Sequence, residues 1–401
     1  MGPGGPGATL RPVKWASTVS TARESKVALA EAISAARQDL GGAPADLLLA
    51  FVSPHHEEAY EALGDSLRSA FPGALLLGCS AHSVIGGGQE VEEVPGLALV
   101  AAHLPGVHLH PFHLAGEPLP AVAVPPDSDF LLLADPFSLD AEEVLRSLDA
   151  HYPGRAKLGG LASGAGAPGH NVLYLGQALA RSGCVGVALE GELRLETVVA
   201  QGCRPIGQPM FVTRCEGNVV YELDGRSPME VLGELYAAAD ARERALFQGS
   251  LFLGLEMRAE RSAYGRGDYL VRNLVGADSD TGSLHVAARL RERQVVQFHL
   301  RDAHTADEDL RERLARCSED EPPAGALLFS CLGRGRQLYG VSDHDVGALR
   351  EHLGEVPVGG FFCNGEIGPV EGRTFLHGYT SAFGFFRPAP PDEAASARLR
   401  G

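Results

Sequence analysis

The sequence lacks the cysteine spacings that hold structural zinc or build a disulfide framework. Its 7 cysteines form no CxxC pair, and neither a CxxC…HxxxH nor an HExxH spacing is present. Isolated cysteines in an odd number are typical of reduced thiols rather than of paired ones. We therefore predict reduced cysteines and a cytoplasmic location.

Long apolar runs and an excess of positive charge are also missing. No run approaches 18 apolar residues, and the N-terminal stretch MGPGGPGATLRPVKW has no apolar segment of the kind that a signal peptide needs. The formal net charge is −17, whereas binding to a phosphate backbone relies on clustered Lys and Arg. We expect neither a membrane nor a nucleic acid as partner.

What is present is an ordinary globular composition. Hydrophobic residues make up 45% of the 401 residues and charged residues 21%, so the chain can bury more than one core. The stretch QGCRPIGQP predicts a division between two domains, residues 15–204 and 205–387. The Gly- and Pro-rich ends, residues 1–14 and 388–401, are predicted to be disordered.

A strand–helix–strand pattern recurs along the chain. Apolar runs that end near Ala50, Ala134 and Ser330 are each followed by a helical stretch and a Gly-containing strand. The corresponding glycines are Gly78, Gly159 and Gly359. A weaker fourth copy is expected over residues 228–290. The alternative is that any α/β protein repeats such elements.

A different pattern follows the proposed division. In PMFVTRCEGNVVYEL, Gly217 and Asn218 separate two β-rich runs, which indicates a hairpin. Hairpins and crossover helices together predict an α+β fold. It would have two halves of repeated strand–helix–strand–strand units, with mixed sheets flanked by helices.

The densest polar cluster lies in VVQFHLRDAHTADEDL. Gln297, His299 and Arg301 alternate with apolar residues, so the period of two places them on one face of a strand. A His–Arg pair can bind an anionic ligand, with Asp302 orienting the imidazole. The alternative is a solvated sheet face followed by a helix that Asp302 or Thr305 caps.

Arg272 and Asn273 interrupt the apolar strand YLVRNLVGAD. An arginine in such a strand is costly unless it is paired or exposed. It is expected to pair with Asp302 or Glu366, or to bind a ligand carboxylate.

Two Gly-rich strand ends carry the remaining candidates. GGFFCNGEIGP presents Cys363, Asn364 and Glu366, and GALLFSCLGRGR presents Cys331 and Arg334. Glycines at these points permit close approach of a ligand, or they serve the geometry of a bulged strand pair. The histidines of VHLHPFH have no assured third ligand on the same side, so no metal site is predicted.

Several segments together resemble the FIST domain family, whose name stands for F-box and intracellular signal transduction. The resemblance rests on QGCRPIGQPMFVTRCEGNVVYELDGRSPMEVL, YLVRNLVGAD, VVQFHLRDAHTADEDL, ALLFSCLGRG and GGFFCNGEIGPVEGRTFLHGYT, with LLLGCSAHSVIGGG, AKLGGLASG and SGCVGVALEG in the first half. Residues 15–204 resemble the FIST N module and residues 205–387 the FIST C module.

The resemblance implies a sensory protein. FIST modules are regarded as small-ligand-binding domains, with amino acids suggested as ligands, and they occur alone or fused to signalling outputs. Some members resemble haem-binding nitric-oxide sensors. The chain would be a stand-alone, bacterial-type member that signals through a partner protein.

The leading hypothesis is a sensor that binds a small ligand, such as an amino acid. Arg301 and Arg334 would hold its carboxylate, and Glu366 or Asp302 its ammonium. The ligand-binding residues are predicted to be Arg272, Asn273, His299, Arg301, Asp302, Cys331, Arg334, Cys363, Asn364 and Glu366.

Three alternatives stay open. The first is a thiol-dependent enzyme with Cys331 or Cys363 as nucleophile and His299 as base. The second is a gas sensor whose haem has a His or Cys axial ligand. The third is an interaction scaffold.

Overall fold

The computed structural model describes residues 12–116, 121–258, 263–319 and 321–389. Most of the ends predicted to be disordered lies outside these ranges, although Lys14 already begins the first strand. The chain divides into two compact units. We call them the three-sheet unit (up to Val199, Leu314–Leu376, and from Ala382) and the barrel unit (Ala200–Arg313 and His377–Ser381). The predicted module boundary at 204/205 stays a prediction.

The strands are β1 (Lys14–Ser20), β2 (Leu47–Val52), β3 (Leu75–Ser80), β4 (Val84–Gly86), β5 (Gln89–Val91), β6 (Leu97–His103), β7 (Val107–Leu114), β8 (Asp129–Ala134), β9 (Lys157–Leu161), β10 (Leu173–Leu175), β11 (Ala178–Ala180), β12 (Cys184–Gly191), β13 (Leu193–Gln201), β14 (Cys203–Glu216), β15 (Val219–Leu223), β16 (Leu251–Glu256), β17 (Tyr269–Asp278), β18 (Ser283–Val286), β19 (Val295–Arg301), β20 (Gly325–Cys331), β21 (Val358–Cys363), β22 (Glu366–Val370), β23 (Arg373–His377) and β24 (Thr380–Pro388). The α-helices are α1 (Ser25–Leu40), α2 (Tyr60–Ala70), α3 (Ala141–His151), α4 (Pro228–Ala238), α5 (Ala241–Phe247), α6 (Ala303–Cys317), α7 (Arg336–Tyr339) and α8 (His344–Leu353). A short 3-10 helix spans Pro54–Ala59. Among the described residues, no helix combines the length and the hydropathy needed to cross a membrane.

Three sheets in the three-sheet unit share one plan. Each has two central parallel strands, namely β2 and β3, β8 and β9, or β20 and β21. Two further strands flank the parallel pair on one side, and a two-stranded hairpin flanks it on the other. The strand orders are β1-β6-β2-β3-β10-β11, β7-β12-β8-β9-β22-β23 and β13-β24-β20-β21-β4-β5. The three predicted copies and the mixed α+β class are therefore confirmed.

The hairpins are exchanged between the copies. The hairpin β4–β5 follows β3 in the chain but pairs with β21, β10–β11 follows β9 but joins β3, and β22–β23 follows β21 but joins β9. Three equivalent hydrogen bonds begin these pairings, each from a backbone N–H to a carbonyl oxygen. They run from Phe362 to Ser83 (3.0 Å), from Ser80 to Val172 (2.9 Å) and from Leu161 to Gly365 (2.9 Å). Each sheet is thus completed by a hairpin from another copy.

The inner faces of the sheets share one core. Its aromatic centre is formed by Phe51, Phe329 and Phe361, with ring centroids 4.9 to 6.4 Å apart. Glycine is required where the parallel strands approach most closely. A Cβ at Gly159 or at Gly360 would lie 1.8 Å from a carbonyl oxygen of the neighbouring strand. The third equivalent glycine is therefore Gly360, one residue after the predicted Gly359.

The barrel unit contains a closed barrel with the order β14-β15-β18-β17-β16-β19, and every adjacent pair is antiparallel. The hairpin predicted at Gly217 and Asn218 is confirmed, since β14 and β15 flank it. The fourth copy expected over residues 228–290 is not formed. That segment supplies two helices and three barrel strands, because its strands find antiparallel neighbours and need no crossover helix.

Candidate functional site

The ten predicted site residues fall into two groups. The barrel unit holds Arg272, Asn273, His299, Arg301 and Asp302. The three-sheet unit holds Cys331, Arg334, Cys363, Asn364 and Glu366. That all ten contribute to a single pocket stays a prediction.

The strand β19 presents its polar residues on the outside of the barrel. Val296 and Phe298 belong to the barrel core, so the alternating residues Gln297, His299 and Arg301 face outward. This agrees with the period of two in the sequence. We call this surface of the barrel sheet the outer face.

The pairing register decides which of the two β17 candidates shares the outer face. Phe252 lies opposite His299 on one side and opposite Asn273 on the other, so Asn273 is on the same face. Arg272 lies opposite the core residue Leu253 and points to the other face. Arg272 and Asn273 are adjacent in the sequence and were predicted to share a site. Successive side chains of a strand point to opposite faces, so the two lie on different faces of the sheet.

His299 is a buried, neutral acceptor. Its Nδ1 lies 2.9 Å from the carbonyl oxygen of Gln297, which can only accept, so Nδ1 carries the proton. Nε2 therefore presents a lone pair, and it has no hydrogen-bond partner. Burial lowers the pKa of His299 to about 4. Gly254 makes room for the ring, because a Cβ there would lie 2.3 Å from its Cε1.

Arg301 is a cation with unused donors. Its Nε and Nη2 are buried and make no hydrogen bond. The guanidinium lies over the ring of Tyr379, 5.3 Å from the centroid. Tyr379 in turn donates to the Asn273 side-chain oxygen and packs on Phe252 at 4.3 Å. Sequence reasoning missed Tyr379; the only local signal is its place after glycine in the turn HGYT.

Asp302 does not orient His299 as predicted. Its carboxylate accepts from Arg242 at 2.9 Å, lies 3.6 Å from Arg204, and accepts the backbone N–H of His304 at 3.0 Å. It also does not pair with Arg272. The alternative role at the start of α6 is the one observed, because the chain turns into the helix directly after Arg301.

Three more buried polar atoms lie with these residues in the barrel unit. The side-chain oxygens of Gln201 and Gln297 and the hydroxyl of Tyr269 have no hydrogen-bond partner. The ring of Tyr269 stands edge-on to His299 at 5.0 Å, and Gln201 donates its Nε2–H to the Tyr269 carbonyl at 3.0 Å. Buried polar groups are nearly always hydrogen-bonded. We call Gln201, Tyr269, Gln297, His299 and Arg301 the outer-face cluster, and its unused groups are what a polar ligand would engage.

Arg334 in the three-sheet unit is held by an internal ion pair with Asp345. It is fully buried, and its Nε and Nη2 donate to the two oxygens of Asp345 at 2.9 and 3.0 Å. Nη2 also donates to the Tyr339 hydroxyl at 2.6 Å. The ion pair forms because α8 brings Asp345 beneath the loop. Arg334 Nη1 is buried without a hydrogen-bond partner, and a ligand contact by Arg334 stays a prediction.

The two candidate thiols lie opposite each other at the ends of β20 and β21. Burial raises the pKa of Cys363 well above its usual value, which keeps that thiol protonated and weakens it as a nucleophile. Cys331 is half-buried. Asn364 donates its side-chain amide to the carbonyl of Ala162 at 3.1 Å, and Glu366 is fully buried at the start of β22.

A buried carboxyl that the sequence did not reveal lies beside α8. Glu90, on the exchanged hairpin, accepts the backbone N–H of Val346 at 2.9 Å. Burial, with the nearby charge of Asp345, raises the pKa of Glu90 to about 8. In the sequence Glu90 belongs to QEVEEV, which is indistinguishable from a solvated hairpin.

Comparison with known proteins identifies the family. A model of the FIST N domain matches residues 46–226, and a model of the FIST C domain matches residues 228–369. An uncharacterized protein of Mycobacterium tuberculosis H37Rv is 38% identical over 379 residues, which are 92% of this chain and 98% of that protein. An uncharacterized protein of Mycobacterium bovis is 37% identical over 379 residues, or 92% of this chain and 97% of that protein. The chain belongs to the FIST domain family, with both a FIST N and a FIST C domain.

Proposed function

We propose that this protein is a sensor that binds a small carboxylate-bearing metabolite of the amino-acid type at the outer-face cluster. FIST domains are associated with signal-transduction sensing. The observation that carries the proposal is Arg301, whose Nε and Nη2 are buried without a hydrogen-bond partner. A guanidinium whose donors are buried without a partner in the free protein gains most from an anion.

The chemistry of the guanidinium selects the anion. Its planar fork matches the two oxygens of a carboxylate, and such charge-assisted pairs are short and strong. Tyr379 would form one wall beneath the carboxylate, since it already lies against the guanidinium. Of the ten predicted residues, the proposal keeps Asn273, His299 and Arg301 as ligand contacts.

Tyr379 would also carry the signal. It has a φ of 65°, a backbone conformation that is unfavourable for a bulky residue. A carboxylate bound to Arg301 would lie against the Tyr379 ring, so binding would shift the segment 377–381. A cytoplasmic signalling protein would read that change.

Thiol catalysis is the less well supported functional hypothesis. The pKa of Cys363 is raised, and the pKa of His299 falls to about 4 with its Nδ1–H already engaged. A protonated nucleophile and a weakly basic imidazole do not suit nucleophilic catalysis at neutral pH.

Isothermal titration calorimetry against a panel of amino acids and simple carboxylates tests the proposal. We expect at least one of them to bind the wild-type protein and to bind Arg301→Gln about 10- to 100-fold more weakly, the usual effect of losing charge-assisted hydrogen bonds. Arg214→Gln is the matched control. Arg214 is an exposed arginine of the same unit that pairs with Glu222, so its variant should bind like the wild type.

Two results would count against the proposal. One is the absence of heat for every compound of the panel. The other is equal affinity of the wild type and Arg301→Gln, which would move the site away from the outer-face cluster.

A further inference from the structure

The outer-face cluster has a donor side and an acceptor side. Arg301 supplies the donors. The acceptors are the lone pair of His299 Nε2 and the side-chain oxygens of Gln201 and Gln297, none of which has a hydrogen-bond partner. The acceptor role of Nε2 follows from the proton on Nδ1, which is engaged by the Gln297 carbonyl. Every acceptor in the cluster is electrically neutral.

The carboxylates flanking this cluster are already engaged. Asp302 follows Arg301 in the chain and is paired with Arg242 at 2.9 Å. Glu256 lies opposite Tyr269 on the sheet, and Arg291 lies 3.8 Å from its carboxylate. Its two oxygens also accept from the Tyr264 hydroxyl at 2.9 Å and from the Val295 N–H at 3.1 Å. Asp309 accepts the backbone N–H of Gln201 at 2.6 Å and is paired with Arg313 at 3.0 Å. Each of these three carboxylates therefore already has an arginine as counter-ion.

Charge balance then limits what a ligand can bring. The charge of Arg301 is neutralised by one ligand carboxylate. A ligand ammonium would add a second positive charge beside the half-buried guanidinium, and burying an unpaired ion costs several kcal/mol. A neutral N–H group satisfies the same acceptors without this penalty.

We propose that the ligand is an N-acylated amino acid, or a related amide-bearing carboxylate, whose carboxylate binds Arg301 and whose amide N–H donates to His299 Nε2. The inference rests on the proposed function and narrows it. His299 and Arg301 are two residues apart on one strand, so their Cα atoms are separated by about 7 Å. A ligand with its carboxylate and its N–H on neighbouring atoms, such as an α-acylamino acid, suits two residues at this spacing. Its acyl carbonyl can accept from the Tyr269 hydroxyl, which has no hydrogen-bond partner.

The sequence predicted that a carboxylate of the protein would bind a ligand ammonium, and the proposed ligand needs no such carboxylate. Glu366 or Asp302 was the expected partner, and in the barrel unit Asp302 is already paired with Arg242. Neutral acceptors take its place.

Four probes with the same side chain test the inference by calorimetry with the full-length wild-type protein. For the leucine series they are N-acetyl-L-leucine, L-leucine, 4-methylpentanoate and N-acetyl-N-methyl-L-leucine, and the alanine, phenylalanine and glutamate series follow the same design. In at least one series we expect the N-acetyl compound to bind at least 10-fold more tightly than the other three. The N-methyl compound is the sharpest control, because it removes only the N–H donor.

The outcomes separate the inference from the function on which it rests. The inference is overturned if the free amino acid binds as tightly as the N-acetyl compound or more tightly, or if N-methylation does not lower the affinity. In either case, carboxylate binding that is weakened by Arg301→Gln leaves the proposed function standing. Absence of binding in all series overturns both. His299→Phe keeps a ring and removes the acceptor, so it should abolish the preference for the N-acetyl compound and retain carboxylate binding. If that variant does not fold, the N-methyl comparison decides.

Discussion

Replacing Glu90 by glutamine should stabilise the three-sheet unit at neutral and mildly alkaline pH. Glu90 is 5% exposed, and burial together with the charge of Asp345 raises its pKa from 4.5 to about 8. Asp343 and Glu92 also act on it in the same direction. A glutamine at this position can still accept the N–H of Val346 through its side-chain oxygen. Its side chain does not ionise, so it adds no pH dependence to the stability.

The sign and size follow from the two pKa values. Below about pH 4.5 the carboxyl is protonated in both the folded and the unfolded state, so it contributes no pH dependence there. As the pH rises, the unfolded state ionises first, and the wild type loses stability until the folded-state pKa is passed. At about 1.4 kcal/mol per pKa unit, the loss reaches about 4 kcal/mol near pH 8. We expect Glu90→Gln to recover about 2 to 4 kcal/mol at that pH and almost nothing near pH 4.5.

Urea unfolding followed by tryptophan fluorescence measures this difference. Trp15 is the only tryptophan of the chain, it is buried in the three-sheet unit, and it stacks on Phe386 at 4.5 Å. Glu92→Gln is the matched control, because Glu92 belongs to the same QEVEEV segment and is less buried, so its effect should be smaller. A gain that does not change between pH 4.5 and 8, or a loss of stability at pH 8, would refute the reasoning.

Two further predictions concern the same unit and the same assay. Gly360→Ala should lower the free energy of unfolding by about 3 kcal/mol or more, because its Cβ would lie 1.8 Å from the Leu328 carbonyl oxygen. Gly347→Ala in α8 is the control: its Cβ meets nothing within 4 Å, so it should raise the free energy of unfolding by up to about 1 kcal/mol. Equal effects of the two substitutions would contradict the close approach at Gly360. Lys157→Met should cost about 3 kcal/mol, because the fully buried ammonium lies 2.8 Å from Asp149 and its loss leaves that carboxylate without a counter-ion. The double variant with Asp149→Asn should lose less than the sum of the two single losses, and simple additivity would show that the pair contributes nothing as a pair.

Much of the local architecture was predictable from the sequence. The apolar runs that became β2, β8 and β20 were recognised as three copies of one unit, and the alternation in QFHLR correctly placed His299 and Arg301 on one face. Such patterns work because side-chain periodicity reports which face of a strand is buried. They do not report what buries it.

The candidate site could be predicted only in part for the same reason. The sequence identified His299 and Arg301, but Tyr379 reaches Arg301 from a segment 78 positions later in the chain, and its place after a glycine does not indicate that contact. Arg334 is engaged by Asp345, a residue that in the sequence has the pattern of an ordinary helix start. Ion pairing depends on where helices pack, which spacing along the chain does not specify.

The sequence by itself determined the class of the fold, the three copies and the alternation of polar residues on β19, because these follow from neighbouring residues and the geometry of a single strand or helix. Only the tertiary structure decided that the hairpins are exchanged among the copies and that the barrel closes without a fourth copy. It also decided that Glu90 is buried and that Arg301 keeps unused donors. These features depend on contacts between distant residues, such as Ser17 with Val358 and Glu90 with Val346, whose formation is set by which surfaces can be buried together.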